Sequence, residues 1–208
     1  MSIITELSSQ RGERTEDANR AVASKCLQKP ILLKDIIQGL KEDNDNLIAD
    51  CAEVLTFVAE QNPKLVKPYI KQLLPLLDHK KTKVRWEIIH TLSFIVEEVP
   101  TIIRGIFPKL KGIAILDDST IVRDYATWTI ANYANTGKKA AREAVDALQV
   151  ILDEWKEKQA AKVIQGFIYA IRQDQSLTER LQKLVQKYER STKGVVKRAV
   201  REFYKSIE

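Results

Sequence analysis

Apolar residues return at helical spacing along this chain, and the helical stretches themselves return at a longer fixed interval. Aligning "LIADCAEVLTF", "VRWEIIHTLSF", "VRDYATWTIANYA" and "VKRAVREFY" superimposes Leu47, Val84, Val122 and Val196, with steps of 37, 38 and 74 residues. The last step is twice 37, and "AAKVIQGFIYAI", beginning at Ala160, fills the gap with the same apolar pattern. Each unit reads as two helical stretches around a short polar turn. In the second unit Leu65, Tyr69, Leu73, Leu74 and Leu77 form one stripe, "DHKKT" follows, and Val84, Ile88, Leu92 and Ile95 form the next. A helix with a single apolar stripe is stable only when that stripe is covered, so units of this kind are expected to stack.

Punctuation agrees with the period. Pro63 and Pro100 close second helices at equivalent places and Gly137 closes the third, while Asn46, Thr82 and Ser119 or Thr120 are N-cap candidates. Pro68, Pro75 and Pro108 fall inside first helices, where the missing N–H predicts bends. The expected fold is all-α: a right-handed α-α superhelix, or solenoid, of about five helix pairs over 30–208. Residues 1–29 form an N-terminal cap, whose helix would place Ala18, Ala21, Val22 and Cys26 on one side.

The stretch from Phe107 to Gly137 resembles a HEAT repeat: Pro108 stands early in the first helix, Asp117 in the turn, and Val122-Arg123 five and six residues later. The resemblance covers roughly 30–207. It implies an armadillo-type solenoid in which the turn aspartate and the arginine after the valine make polar contacts between repeats, Asp78 with Arg85 and Asp117 with Arg123. The first unit departs from it, with Ile48 in the arginine's place, and the unit at Ala160 lacks the Val-Arg pair. A more distant similarity connects the chain with HEAT-like alkylpurine DNA glycosylases, which use tryptophans and an aspartate on the concave face.

In a HEAT-like stack the second helices line the concave surface. Counting from each key apolar residue, positions 2, 6, 9 and 13 point away from the core. These are Ala49, Glu53, Thr56 and Glu60; Trp86, His90, Ser93 and Glu97; Asp124, Trp128, Ala131 and Asn135; Lys162, Gly166, Tyr169 and Gln173; and Arg198, Glu202 and Lys205. Large aromatics on a polar face are characteristic of recognition surfaces. Trp86, His90, Asp124, Trp128, Asn135, Tyr169 and Arg198 are therefore the candidate partner-binding residues. The competing reading packs Trp86 and Trp128 against neighbouring helices. A lone histidine such as His90 is more often solvated than a proton carrier, and Trp155, beside "DEWKEK", reads as a ring covering a turn.

Charge modifies this picture only slightly. The net +6 comes from 34 basic against 28 acidic residues. Residues 151–208 hold 13 basic against 8 acidic, and residues 1–50 hold 7 against 9. The turn lysines Lys80, Lys81 and Lys83 would need a continuous path to contact phosphates, and Asp117 and Asp118 interrupt it.

Two cysteines, Cys26 and Cys51, suggest neither a disulfide framework nor a zinc site, and Cys51 faces the core. No signal-peptide pattern, membrane span, phosphate loop, nucleophile elbow or metal-ligand cluster is present. The expectation is a cytoplasmic, non-enzymatic interaction or scaffold module, monomeric, without cofactor or catalytic residues, binding a protein or peptide. The alternative is a nucleic-acid-binding repair protein of glycosylase type using Asp124, Trp128, Trp86 and Arg198, which the acidic first row opposes.

Overall fold

The computed structural model describes residues 2–208, and these form helices joined by short turns. They fall into two compact units, Met1–Glu98 and Val99–Glu208. In the first unit a 3-10 turn at Ile3–Glu6 leads to α1 (Asp17–Gln28), α2 (Leu33–Gly39), α3 (Asp45–Gln61), α4 (Pro63–Val66), α5 (Ile70–Leu73) and α6 (Thr82–Ile95). The second unit holds α7 (Pro100–Gly105), α8 (Phe107–Leu116), α9 (Thr120–Tyr133), α10 (Lys138–Trp155), α11 (Ala160–Gln173), α12 (Thr178–Gln186) and α13 (Gly194–Lys205).

The five second helices, α3, α6, α9, α11 and α13, stand where the period places them. Leu47, Val84, Val122, Ala160 and Val196 are all buried. The prolines break the first helices as their chemistry requires. Between Pro63 and Asp78 the backbone alternates α and 3-10 turns, changing at Lys67 ahead of Pro68 and at Leu74 ahead of Pro75. Ile106 separates α7 from α8 two residues before Pro108. The proline-free α10 runs unbroken for 18 residues. A proline ring cannot donate to the preceding turn and crowds its carbonyl, which explains the contrast.

Several local expectations shift by a residue or more. Pro63 and Pro100 open first helices at N1, where a missing N–H costs nothing, rather than closing second ones. Asn44, not Asn46, caps α3, accepting from the N–H groups of Asn46 and Leu47 at 2.9 and 3.3 Å. Lys81 rather than Thr82 is the N-cap of α6, and Ser119 caps α9 without a side-chain bond. The buried stripe before the second turn is Val66, Ile70, Leu73 and Leu77, leaving Leu65, Tyr69 and Leu74 half-buried. On α1, Ala21 is exposed. Ala18, Asn19, Val22, Ala23 and Cys26 make the covered face, because α1 lies against α3 along a stripe two residues wide. Gly137 enters α10 with φ +142°, a conformation that favours glycine.

In the second unit α11 packs against both α9 and α10. Gly166 makes this approach possible: a Cβ there would lie 2.9 Å from Ala131 Cβ, 3.0 Å from its Cα and 2.5 Å from Leu148 Cδ1. Gly166→Ala is expected to destabilise the protein by about 1–3 kcal/mol of overpacking, offset by up to about 1 kcal/mol of helix propensity. A lowered urea midpoint with unchanged helical circular dichroism is the expected result; an unchanged or raised midpoint would show that the contact is looser.

Candidate functional site

In the first unit, α3 and α6 lie side by side with a polar seam between them. Thr56 Oγ1 is 2.8 Å from Glu87 Oε2 and 3.0 Å from Thr91 Oγ1, and all three residues are buried. Burial pushes the Glu87 carboxyl up to about 7, with the nearby Glu53 carboxylate adding to the rise. Hydrogen bonds from Thr56 and Trp86 and the charge of Lys83 hold it back. Trp86 is half-buried on α6 beside this seam.

The acidic end of α3 is already supplied with cations and donors. Lys83 Nζ lies 3.1 Å from Glu53 Oε1 and 4.0 Å from Asp50 Oδ1. Asn19 Nδ2 donates to Glu53 at 2.6 Å and the Ser9 N–H to Asp50 at 2.7 Å. Lys80 pairs with Asp45 at 3.1 Å, and Lys81 bonds the Asn46 side chain. Consequently Lys80 and Lys83 of the basic turn are matched to carboxylates of α3. Around these groups opens a cleft of about 570 Å³, lined among others by Arg14, Asn46, Asp50, Glu53, Lys83 and Trp86.

His90, one turn beyond Trp86, is half-buried and stacks on Phe94 with ring centroids 4.9 Å apart. Burial lowers its imidazole to about 4, so it is neutral at pH 7 and packs as a ring rather than standing solvated.

In the second unit, equivalent positions of neighbouring second helices are linked directly. Asp124 on α9 accepts from Lys162 Nζ at 2.8 Å on α11, and from the Gln159 amide. Asn135 accepts from Gln173 Nε2 at 3.4 Å. Both links, one from α9 and one from the 3-10 turn that follows it, reach α11 across 38 residues, one repeat, so the outward rows are in register. Trp128 is half-buried one turn from Asp124. Tyr169 lies beneath the Arg172 guanidinium at 5.8 Å, and Arg198 is exposed on α13.

No family model and no curated protein matches the sequence. Solved structures match the fold across nearly the whole chain. One is a designed armadillo repeat protein in complex with a (KR)4 peptide, with a TM-score of 0.75 and 17% identity over 99% of this chain and 98% of that one. An engineered protein matches at a TM-score of 0.76 and 18% identity over 99% and 97%. A computationally designed armadillo repeat protein for modular peptide recognition matches at 0.72 and 17% over 98% of each chain. The fold is an all-α armadillo-type repeat.

Within this armadillo-type fold the outward rows are narrower than helical geometry alone implies. Ala49, Glu53, Thr56, Ser93, Ala131 and Gly166 are buried, because each second helix packs on its neighbours along its flanks as well as its inner face. Trp86, His90, Asp124, Trp128, Asn135 and Tyr169 remain half-buried, and Arg198 is exposed.

The Val-Arg arginines grip their own turns. Arg85 donates to the His79 carbonyl at 2.9 Å, and Arg123 donates to the Asp117 carbonyl at 2.5 Å. Arg123 also stacks at 4.1 Å on Trp155, whose N–H donates to the Ala114 carbonyl at 3.1 Å, so that ring does serve as packing over a turn. Sequence reasoning missed Glu87 and the bridging role of Lys83. The only signal was a charge placed at the edge of an apolar stripe, which periodicity assigns to neither face.

Among the described residues, no group of three or more His, Cys, Asp or Glu could hold a metal ion, and no helix is long and apolar enough to cross a membrane. Cys26 and Cys51 are free and buried, and burial pushes their thiols up to about 11 and 12, which makes them poor nucleophiles.

Proposed function

We propose that this chain is a non-enzymatic recognition module that holds an extended protein or peptide segment on the outward positions of second helices within a unit. The carrying observation is Trp86, a half-buried indole that lines the 570 Å³ cleft with Asp50, Glu53 and Asn46. An apolar ring plus fixed carboxylates and an amide provide shape, charge and backbone-directed hydrogen bonding, the combination found at binding hot spots. Trp128 beside Asp124 and Lys162 supplies an equivalent group in the second unit. Two of the matching folds are named as peptide binders, and this supports the same use here. The two buried free thiols suit a reducing compartment, and we place the protein in the cytoplasm as a monomer.

Nucleic-acid recognition is the second reading. It rests on the second unit, which carries 20 basic against 13 acidic residues, while the first carries 14 against 15. Two observations weaken it: Asp124 is engaged by Lys162 and Gln159, and the turn lysines Lys80 and Lys83 are paired with carboxylates.

Fluorescence anisotropy with labelled (KR)4 and (DE)4 peptides and with short DNA, at several salt concentrations, separates the readings. Peptide binding that Trp86→Ala weakens roughly 30-fold, equivalent to about 2 kcal/mol, with unchanged circular dichroism, is expected. Steeply salt-dependent DNA binding without peptide binding would transfer the function to the second reading. Unfolding by Trp86→Ala would make the ring part of the core and remove it from the site.

A further inference from the structure

Several cations of the second unit ahead of its last helix are held in ion pairs. Arg104 pairs with Glu143, Lys138 and Arg142 with Asp174, Lys162 with Asp124, Arg180 with Asp146 and Lys183 with Glu179. On α13 the pattern stops. Lys197, Arg198, Arg201 and Lys205 are exposed, and none has an ion-pair partner among the described residues.

Three of these cations share one stripe. Lys197, Arg201 and Lys205 are spaced i, i+4 and i+8, with Tyr204 among them, so they rise about 6 Å apart along one side of the helix. The opposite side, carrying Val196, Ala199 and Phe203, is buried and packs against α11. The cationic stripe borders an open cleft of about 750 Å³. Its lining includes the nearly covered Val200, the half-buried ring of Tyr204 and the exposed backbone at Gly194. Tyr204 is held there by donating from its hydroxyl to Glu189 Oε1 at 2.5 Å. The result is an apolar floor with a fixed aromatic wall and a rim of three unengaged cations.

We infer that this cleft is a docking site for an acidic amphipathic helix of a protein partner, lined by none of the residues of the Trp86 cleft and meeting the outward positions of α13 only at Lys205. An amphipathic helix laid along α13 would place apolar side chains at i, i+3, i+4 and i+7 on Val200 and Tyr204, and its flanking carboxylates on Lys197, Arg201 and Lys205. Charge complementarity selects the acidic partner. The apolar floor selects a protein over a nucleic acid, because a phosphate backbone has no apolar face to bury. Glu189 and Glu208, which also line the cleft, would repel a continuous polyanion while leaving room for a helix whose charges are discrete.

The test uses the full chain and a synthetic amphipathic helical peptide with Leu at i, i+3, i+4 and i+7 and Glu on both flanks. A scrambled peptide of identical composition and a DNA oligonucleotide of similar charge serve as competitors. The expected result is micromolar binding of the amphipathic peptide, at least tenfold weaker binding of the scramble, and at least tenfold weakening by Lys197→Glu with Arg201→Glu. A matched charge change at Lys34→Glu with Lys139→Glu should alter the affinity less than threefold. Equal binding of the scramble, equal loss from the matched control, no binding of the amphipathic peptide, or preference for the oligonucleotide at equal salt would each overturn the proposal. Circular dichroism and urea unfolding of the Glu variants verify folding. If the double variant is unfolded, Arg201→Gln alone carries the test, with at least threefold weakening expected and none overturning it.

Discussion

Phe167→Ala is expected to destabilise the protein by about 3–5 kcal/mol, as large-to-small changes at fully buried aromatic sites do. Phe167 has no exposed surface and sits on α11, which packs against α9, α10 and α13. Removing the ring leaves a void among three helices held apart by their own backbones, so collapse around it is incomplete. In a repeat fold each helix is stabilised by its neighbours, and the loss should spread accordingly. Hydrogen exchange should accelerate in α9, α10, α11 and α13 and much less in α3 and α6. Urea unfolding followed by circular dichroism measures the magnitude. A change within about 0.5 kcal/mol, the range expected for the 78% exposed Leu116, would show that the ring is not part of a tight core.

Glu87→Gln is expected to remove a pH dependence from stability. Burial raises this carboxyl from an ordinary 4.5 to about 7, so the folded protein holds the proton more tightly than the unfolded chain. Its contribution to stability is full below about pH 4.5 and is lost as pH rises through about 7. Across that window the parent should lose stability relative to the Gln variant by a few kcal/mol, on the order of 3.

His90 changes in the opposite sense. Its imidazole is lowered to about 4, so the stability it contributes is present above its ordinary 6.5 and lost as pH falls toward 4. Comparing parent with Glu87→Gln at each pH cancels that background, since His90 is common to both. Urea midpoints at pH 5, 6, 7 and 8 provide the measurement; parallel curves for the two proteins would place Glu87 in contact with solvent. Glu87 neighbours Trp86 on α6, so the variant also reveals whether the charge of this carboxyl matters to peptide affinity.

The repeat was legible because burial imposes a period. Each second helix must present an apolar residue to the core at the same phase, and Leu47, Val84, Val122, Ala160 and Val196 do so whatever fills the other positions. The bends were legible because Pro68, Pro75 and Pro108 act through local sterics alone. The site was legible only in part. Helical phase identifies the half-buried Trp86 and Trp128, and it equally nominates Thr56, Ala131 and Gly166, which are buried.

What the amino-acid order determined by itself was everything governed by interactions within about one turn of helix: the period, the apolar faces and the proline breaks. Only the tertiary structure decided which outward residues stay open and which charges are already satisfied. The pairings of Asp124 with Lys162, Glu53 with Lys83 and Thr56 with Glu87 join residues 30 to 38 positions apart. Whether two such groups meet depends on how closely adjacent helices approach. That distance is set by small residues such as Gly166 and Ala131, whose effect appears only when the helices are packed together.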